Sequence, residues 1–144
     1  MQEEKHLAAL KEVKTAINEA LNDQKGILHR QRLLMAALSL GIQHMIEIWL
    51  HRSNAIKPGS VVKHEWFASE ERKLRVKMLG VLTKSMETIP SSSKVLSLAR
   101  EIERNRNDII YGSPLKTDSE LREKIEYFLE LKEEIEKTTE VSLW

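Results

Sequence analysis

An all-α bundle is the fold class this sequence predicts, and three observations predict it. Apolar residues recur at helical spacing in five separate stretches. No segment alternates apolar and polar residues as a half-buried strand would. The breaks between stretches carry Gly, Pro and Ser. The 144 residues are 31% charged and 41% hydrophobic, with five Gly and three Pro. That balance fits one domain over residues 1–144, without internal repeats, and excludes a disordered or fibrous chain.

The first helix is expected from about Glu3 to Asp23, with Leu7, Leu10, Val13, Ile17, Ala20 and Leu21 as its stripe and Lys25-Gly26 ending it. The second runs from about Leu28 to Arg52. Its apolar residues surround the axis, from Leu33 and Leu34 through Ile42, Met45 and Ile46 to Trp49 and Leu50, which marks the central, buried helix. Asn54 to Val62, with Lys57-Pro58-Gly59-Ser60, reads as a loop. A third helix is expected to start near an N-cap at Ser69, with Glu70 and Glu71 at the positive end of its dipole and a stripe from Leu74 to Met86. After Pro90-Ser91-Ser92-Ser93, a fourth continuous helix carries Val95, Leu98, Ala99, Ile102, Ile109 and Ile110 and stops at Gly112-Ser113-Pro114. The last helix opens at Thr117-Asp118-Ser119-Glu120, the spacing of a capping box, and continues through Leu121, Ile125, Phe128, Leu129 and Ile135 to a solvated, charge-rich end.

Composition narrows the function classes. With 23 basic and 22 acidic residues the net charge is +1, so the overall field does not call for nucleic acid or a membrane surface, although a local basic patch still counts. The chain has no Cys, which removes disulfides, thiolate chemistry and Cys-ligated zinc. MQEEKHLAAL lacks the apolar core of a signal peptide, and the longest apolar run, Leu33 to Leu38, is far short of a membrane span. A soluble, cytoplasmic protein with no cofactor is expected.

Chemistry concentrates in RNRNDIIYG, residues 104–112. At about 100° per residue, Arg106 falls roughly 40° from Ile102, inside the apolar arc of its helix. A guanidinium stays charged, so Arg106 must meet a carboxylate, line a cleft or reach out along its stem. An internal salt bridge and an anion-binding Arg beside a groove both satisfy that requirement. Ile109, Ile110 and Tyr111 cover about 200° of helix surface, more than one packing partner needs, so this end lies deep in the monomer or under a second subunit. Arg100, Arg104, Asn107 and Tyr111 share another face, a set suited to phosphate and base contact or, more plainly, to solubility.

Arg106-Asn107-Asp108-Ile109-Ile110-Tyr111-Gly112 resembles the Arg-Asn-x-x-x-His-Gly signature of HEPN domains. The layout is similar too: long early helices, the signature near the end of the penultimate helix, then a closing amphipathic helix. The resemblance implies a four- or five-helix bundle that dimerises with two signatures facing across a cleft. It also implies either a metal-independent RNase, often a toxin or defence effector, or a non-catalytic partner of a nucleotidyltransferase. Carried over, Arg106 would bind the scissile phosphate and Asn107 would help orient it; Asp108 is expected to orient it too, and Arg100 and Arg104, from the helix face described above, are expected as further phosphate contacts. Tyr111 stands where the family has the His that supports attack by the RNA 2′-hydroxyl. A phenol near pKa 10 is a poor base at neutral pH beside imidazole near 6.5, although it still donates a hydrogen bond to phosphate. The expected catalytic set is thus Arg106, Asn107, Asp108 and Tyr111, in a homodimer that takes RNA or a nucleotidyltransferase-type protein as partner.

Two other groupings stand out. His44, Glu47 and His51 sit at i, i+3 and i+7 on the central helix, a spacing that could offer three metal ligands but is explained as well by a polar seam, so no metal is expected. Lys63-His64-Glu65-Trp66-Phe67 mixes polar and aromatic groups and reads as a lid over the bundle end or the lining of a groove. No Gly-rich phosphate loop, Ser-His-Asp triad or carboxylate cluster appears.

Overall fold

A computed structural model describes residues 3–144; Met1 and Gln2, the start of the MQEEKHLAAL stretch, lie outside them. The fold is all-α, with no strand among the described residues and one isolated bridge, between Ile56 and Leu82. The helices are α1 (Glu3–Leu21), α2 (Gln31–Arg52), α3 (Glu71–Leu79), α4 (Ser92–Glu103), α5 (Arg106–Tyr111) and α6 (Ser119–Thr139), with short 3₁₀ turns at Ile27–Arg30, His64–Ala68 and Met86–Thr88.

The central position of α2 follows from its composition. From Leu34 to Leu50 it is buried on most sides, against α1, α4, α5 and α6. By length and composition the stretch 27–52 could cross a bilayer, but 67% of its most apolar window is buried inside the fold, which makes it the core helix of the bundle. The helices come close together at Gly41. A Cβ there would lie 2.5 Å from the Phe128 ring of α6 and 3.2 Å from Val13 of α1. Phe128 is itself fully buried and stacks on Trp144 at 5.9 Å, so the ring has little room to yield.

Three helix boundaries differ from the sequence expectation. The third helix has its N-cap at Glu70 rather than Ser69, makes no side-chain cap bond, and ends at Leu79. Val81, Leu82 and Met86 belong to the turn that follows, because Lys57 and Thr83 exchange backbone bonds with Val81 and Ala55 across the long loop. The last helix begins at Ser119 with Asp118 as N-cap; no capping box forms, and Asp118 instead accepts from Arg122 at 2.7 Å.

The third difference shapes the site. The expected continuous fourth helix breaks after Glu103: Arg104 is extended (φ −57°, ψ 136°), and Asn105 takes a left-handed conformation (φ 63°, ψ 13°), which Asn tolerates better than most residues. The break is sealed from α6. The Lys124 ammonium, 3% exposed, donates to the carbonyls of Ile102 at 2.8 Å, Glu101 at 3.1 Å and Arg104. A cation at a helix C-terminus answers both the unpaired carbonyls and the negative end of the dipole. Burial pushes Lys124 below the ordinary lysine range, with Glu120 the chief opposing influence. The short α5 is fastened in the same manner, since Arg32 of α2 donates to the carbonyls of Ile110 (3.0 Å) and Gly112 (3.4 Å).

Gly41→Ala places a methyl against Phe128 and should destabilise the protein by about 1–3 kcal/mol, the usual range for overpacking. Urea unfolding checks it; an unchanged midpoint would mean that α2 and α6 are not this close.

Candidate functional site

The chain break turns the last residue of α4 and the first of α5 toward the same place. Glu103 is 1% exposed, and its carboxylate gathers three groups, two of them from distant parts of the chain. Ser39 of α2 donates to Oε2 at 2.9 Å, His64 Nδ1 lies 2.7 Å from Oε1, and Arg106 Nε is 3.7 Å from Oε1. Arg106 Nε also donates to the Ser39 hydroxyl at 2.9 Å. The donors therefore run in one direction, Arg106 to Ser39 to Glu103. A carboxylate that accepts on Oε2 and faces an imidazole on Oε1 is satisfied as an anion when His64 donates from Nδ1–H.

Burial pushes the Glu103 carboxyl above the usual range, with the His64 hydrogen bond the largest influence in the other direction. His64 is positioned from its backbone as well, its N–H donating to Gln43 Oε1 of α2 at 3.0 Å. These contacts leave His64 Nε2 and Arg106 Nη2 without a hydrogen-bond partner among the described residues.

A cleft of about 310 Å³ opens over this network, lined by His64, Glu65, Ala68, Glu103 and residues 105–108. Arg106, Asn107 and Asp108 are thus brought together, with Asn107 Oδ1 accepting from Arg106 Nη1 at 3.1 Å. Arg106 is ion-paired to Glu103, and at 19% side-chain exposure it also lines a cleft. Tyr111 is not part of that lining. It sits at the end of α5 and is 78% exposed. Arg100 and Arg104 line a second hollow of about 300 Å³ with Phe67, Ser69 and Glu101, and Ala68 lines both it and the Arg106 cleft. Ile109 is buried within the monomer and Ile110 partly so, which leaves Tyr111 as the uncovered residue of that triplet.

Sequence reasoning missed Glu103, Ser39 and the role of His64. Glu103 was legible: at about 100° from Ile102 it falls beside Ala99 and Leu96 in the buried arc, three residues before the inward Arg106. Within the segment 63–67, His64 and Glu65 line the cleft and Phe67 is buried in the core.

No protein-family model, curated protein or solved structure matches the chain.

The network predicts an order of stabilities. Arg106→Ala leaves Glu103 its bonds to Ser39 and His64 and should cost about 1–2 kcal/mol. Glu103→Ala strands an arginine and two further donors and should cost about 3–5 kcal/mol. Chemical denaturation of both variants checks this; an equal or reversed order would show that Glu103 is not the hub.

Proposed function

We propose that the protein binds single-stranded RNA across the Arg100, Arg104 and Arg106 side of α4 and α5, and that the His64–Glu103–Arg106 cleft cleaves it without a metal ion. The observation that carries this reading is a buried carboxylate holding an imidazole beside a guanidinium, both of which line the cleft and keep one nitrogen outside these contacts. In this arrangement Glu103 fixes the His64 tautomer, as the acid of a catalytic triad does for its histidine. His64 Nε2 then accepts the proton of an RNA 2′-hydroxyl as it attacks the adjacent phosphate. Arg106 Nη2 faces the charge that builds on the phosphate oxygens, and Asn107 and Asp108 orient the group. The P–O2′ bond forms as the P–O5′ bond breaks, the leaving 5′-oxygen takes a proton from the now protonated His64 or from water, and the products are a 2′,3′-cyclic phosphate and a 5′-hydroxyl.

The reading rests on the resemblance to the HEPN signature and modifies it. The family's acid-base position is Tyr111 here, and its exposure on the monomer leaves that role to His64. Dimerisation belongs to the same proposal. Leu33 (72% exposed), Leu40 and Tyr111 are large apolar groups on α2 and α5, helices that pack together, and a second copy would cover them.

A second reading is favoured by the acidic groups of the cleft. Glu65 and Asp108 line it beside Glu103, and Arg106 is already paired, so a non-catalytic subunit serving a partner such as a nucleotidyltransferase also fits.

The full chain, incubated with single-stranded RNA in the presence of a chelator, should yield cyclic-phosphate ends. His64→Ala should reduce the rate by ~10²–10⁴-fold, the usual contribution of a positioned acid-base group. Tyr111→Phe separates a cleft built within one chain, where the rate holds, from one shared by two copies, where it falls. Absence of cleavage by the wild type, or a His64→Ala variant as active as the wild type, would remove the catalytic reading and leave the second.

A further inference from the structure

Elsewhere on α2, polar groups converge inside the bundle. His6 of α1 is 8% exposed and Glu47 of α2 is 5% exposed, and the half-buried His44 lies between the two helices. His6 Nδ1 and His44 Nδ1 are 2.8 Å apart, and His6 Nε2 is 3.5 Å from Glu47 Oε2. One donor atom from each of the three residues lies within 4.8 Å of the others.

We propose that His6, His44 and Glu47 form a binding site for a late first-row divalent cation of the zinc class. Two imidazoles and one carboxylate make a mixed nitrogen and oxygen set of borderline softness, which suits such ions and not magnesium or calcium. The ligand atoms of a tetrahedral zinc stand roughly 3.3 Å apart, from bonds of about 2.0–2.1 Å. His6 meets His44 through Nδ1 and Glu47 through Nε2, so metal binding includes a rotation of the His6 side chain that brings one nitrogen to the ion. Glu47 is already oriented, since its Oε1 accepts from the buried Val62 N–H at 3.0 Å and leaves Oε2 toward the histidines. Carboxylates that ligate metals are commonly fixed by such a hydrogen bond on the far oxygen.

Solvent reaches the site through a hollow of about 290 Å³ lined by His6, Glu47, His51 and residues 59–61. The His51 ring stands 6.2 Å from that of His6, at the edge of this hollow. Three protein ligands with water entering from the hollow give a four-coordinate ion. Sequence spacing grouped His44, Glu47 and His51; the fold replaces His51 in the inner set with His6, which only α1–α2 packing brings there. Bound metal would staple α1 to α2 and, through Glu47, to the segment that follows the long loop.

The test adds zinc chloride alone to chelator-stripped full-length protein and reads both calorimetric stoichiometry and thermal unfolding. One ion per chain is expected, with a melting temperature that rises as free zinc rises. Glu47→Gln, which keeps the Val62 acceptor, should weaken binding at least ~100-fold, and so should His6→Gln. His29→Ala, which removes an exposed histidine on the 3₁₀ turn, should leave binding unchanged. No saturable binding to the wild type, or binding that survives both Glu47→Gln and His6→Gln, would overturn the proposal and leave a hydrogen-bonded polar seam. Both readouts are independent of any action on RNA.

Discussion

The Lys124 ammonium is the contact on which the rest of this end of the bundle depends. Its three carbonyl acceptors lie on either side of the place where α4 stops and the chain turns into α5. Burying a lysine is unfavourable unless its donors are all matched, and here the match is to groups that a helix end leaves unpaired. With that end sealed, the chain can break at Arg104 and Asn105 while α4 and α6 stay packed.

From that break the site follows. A continuous helix would place Glu103 and Arg106 about 60° apart on one regular surface. The observed turn lets Arg106 reach Ser39 while Glu103, at the end of the preceding helix, meets Ser39 and His64. Desolvation of Glu103 is offset by donors from α2, the 3₁₀ turn at 64–68 and α5, so one buried anion holds three elements in register. Polar networks of this kind specify one arrangement because a partly satisfied alternative leaves a charge unpaired in low dielectric. The cleft above the network is thus preorganised by a structural need, and the proposed chemistry uses the atoms which that need leaves over.

The fold class was legible because α1, α2 and α6 bury their apolar stripes as periodicity requires, with Leu10, Val13 and Ile17, or Leu121, Ile125 and Phe128, all at or near full burial. Boundaries were less legible where tertiary contacts override local signals. Ser69 and the 117–120 pattern have the chemistry of caps, but Asp118 is engaged by Arg122, and neither helix start makes a side-chain cap bond. At the candidate site, Arg106 is readable as an inward cation, and Arg106, Asn107 and Asp108 do line one cleft. Ser39 and His64 are not readable in the same way: Ser39 is 67 residues from Arg106 along the chain, and His64 reaches Glu103 across 39. His6 joins His44 across 38 residues for the same reason. Contacts of that range are set by which helix faces meet, and no local spacing encodes them.

The central claim is that Glu103 holds His64 as an oriented base, and the tautomer of His64 tests it most directly. Nitrogen-resolved NMR of the histidine side chains near neutral pH distinguishes a proton on Nδ1 from one on Nε2. His64 should carry its proton on Nδ1, directed at the Glu103 carboxylate, with Nε2 unprotonated and facing the cleft. A His64 found with its proton on Nε2, or exchanging freely between the two forms, would contradict the claim.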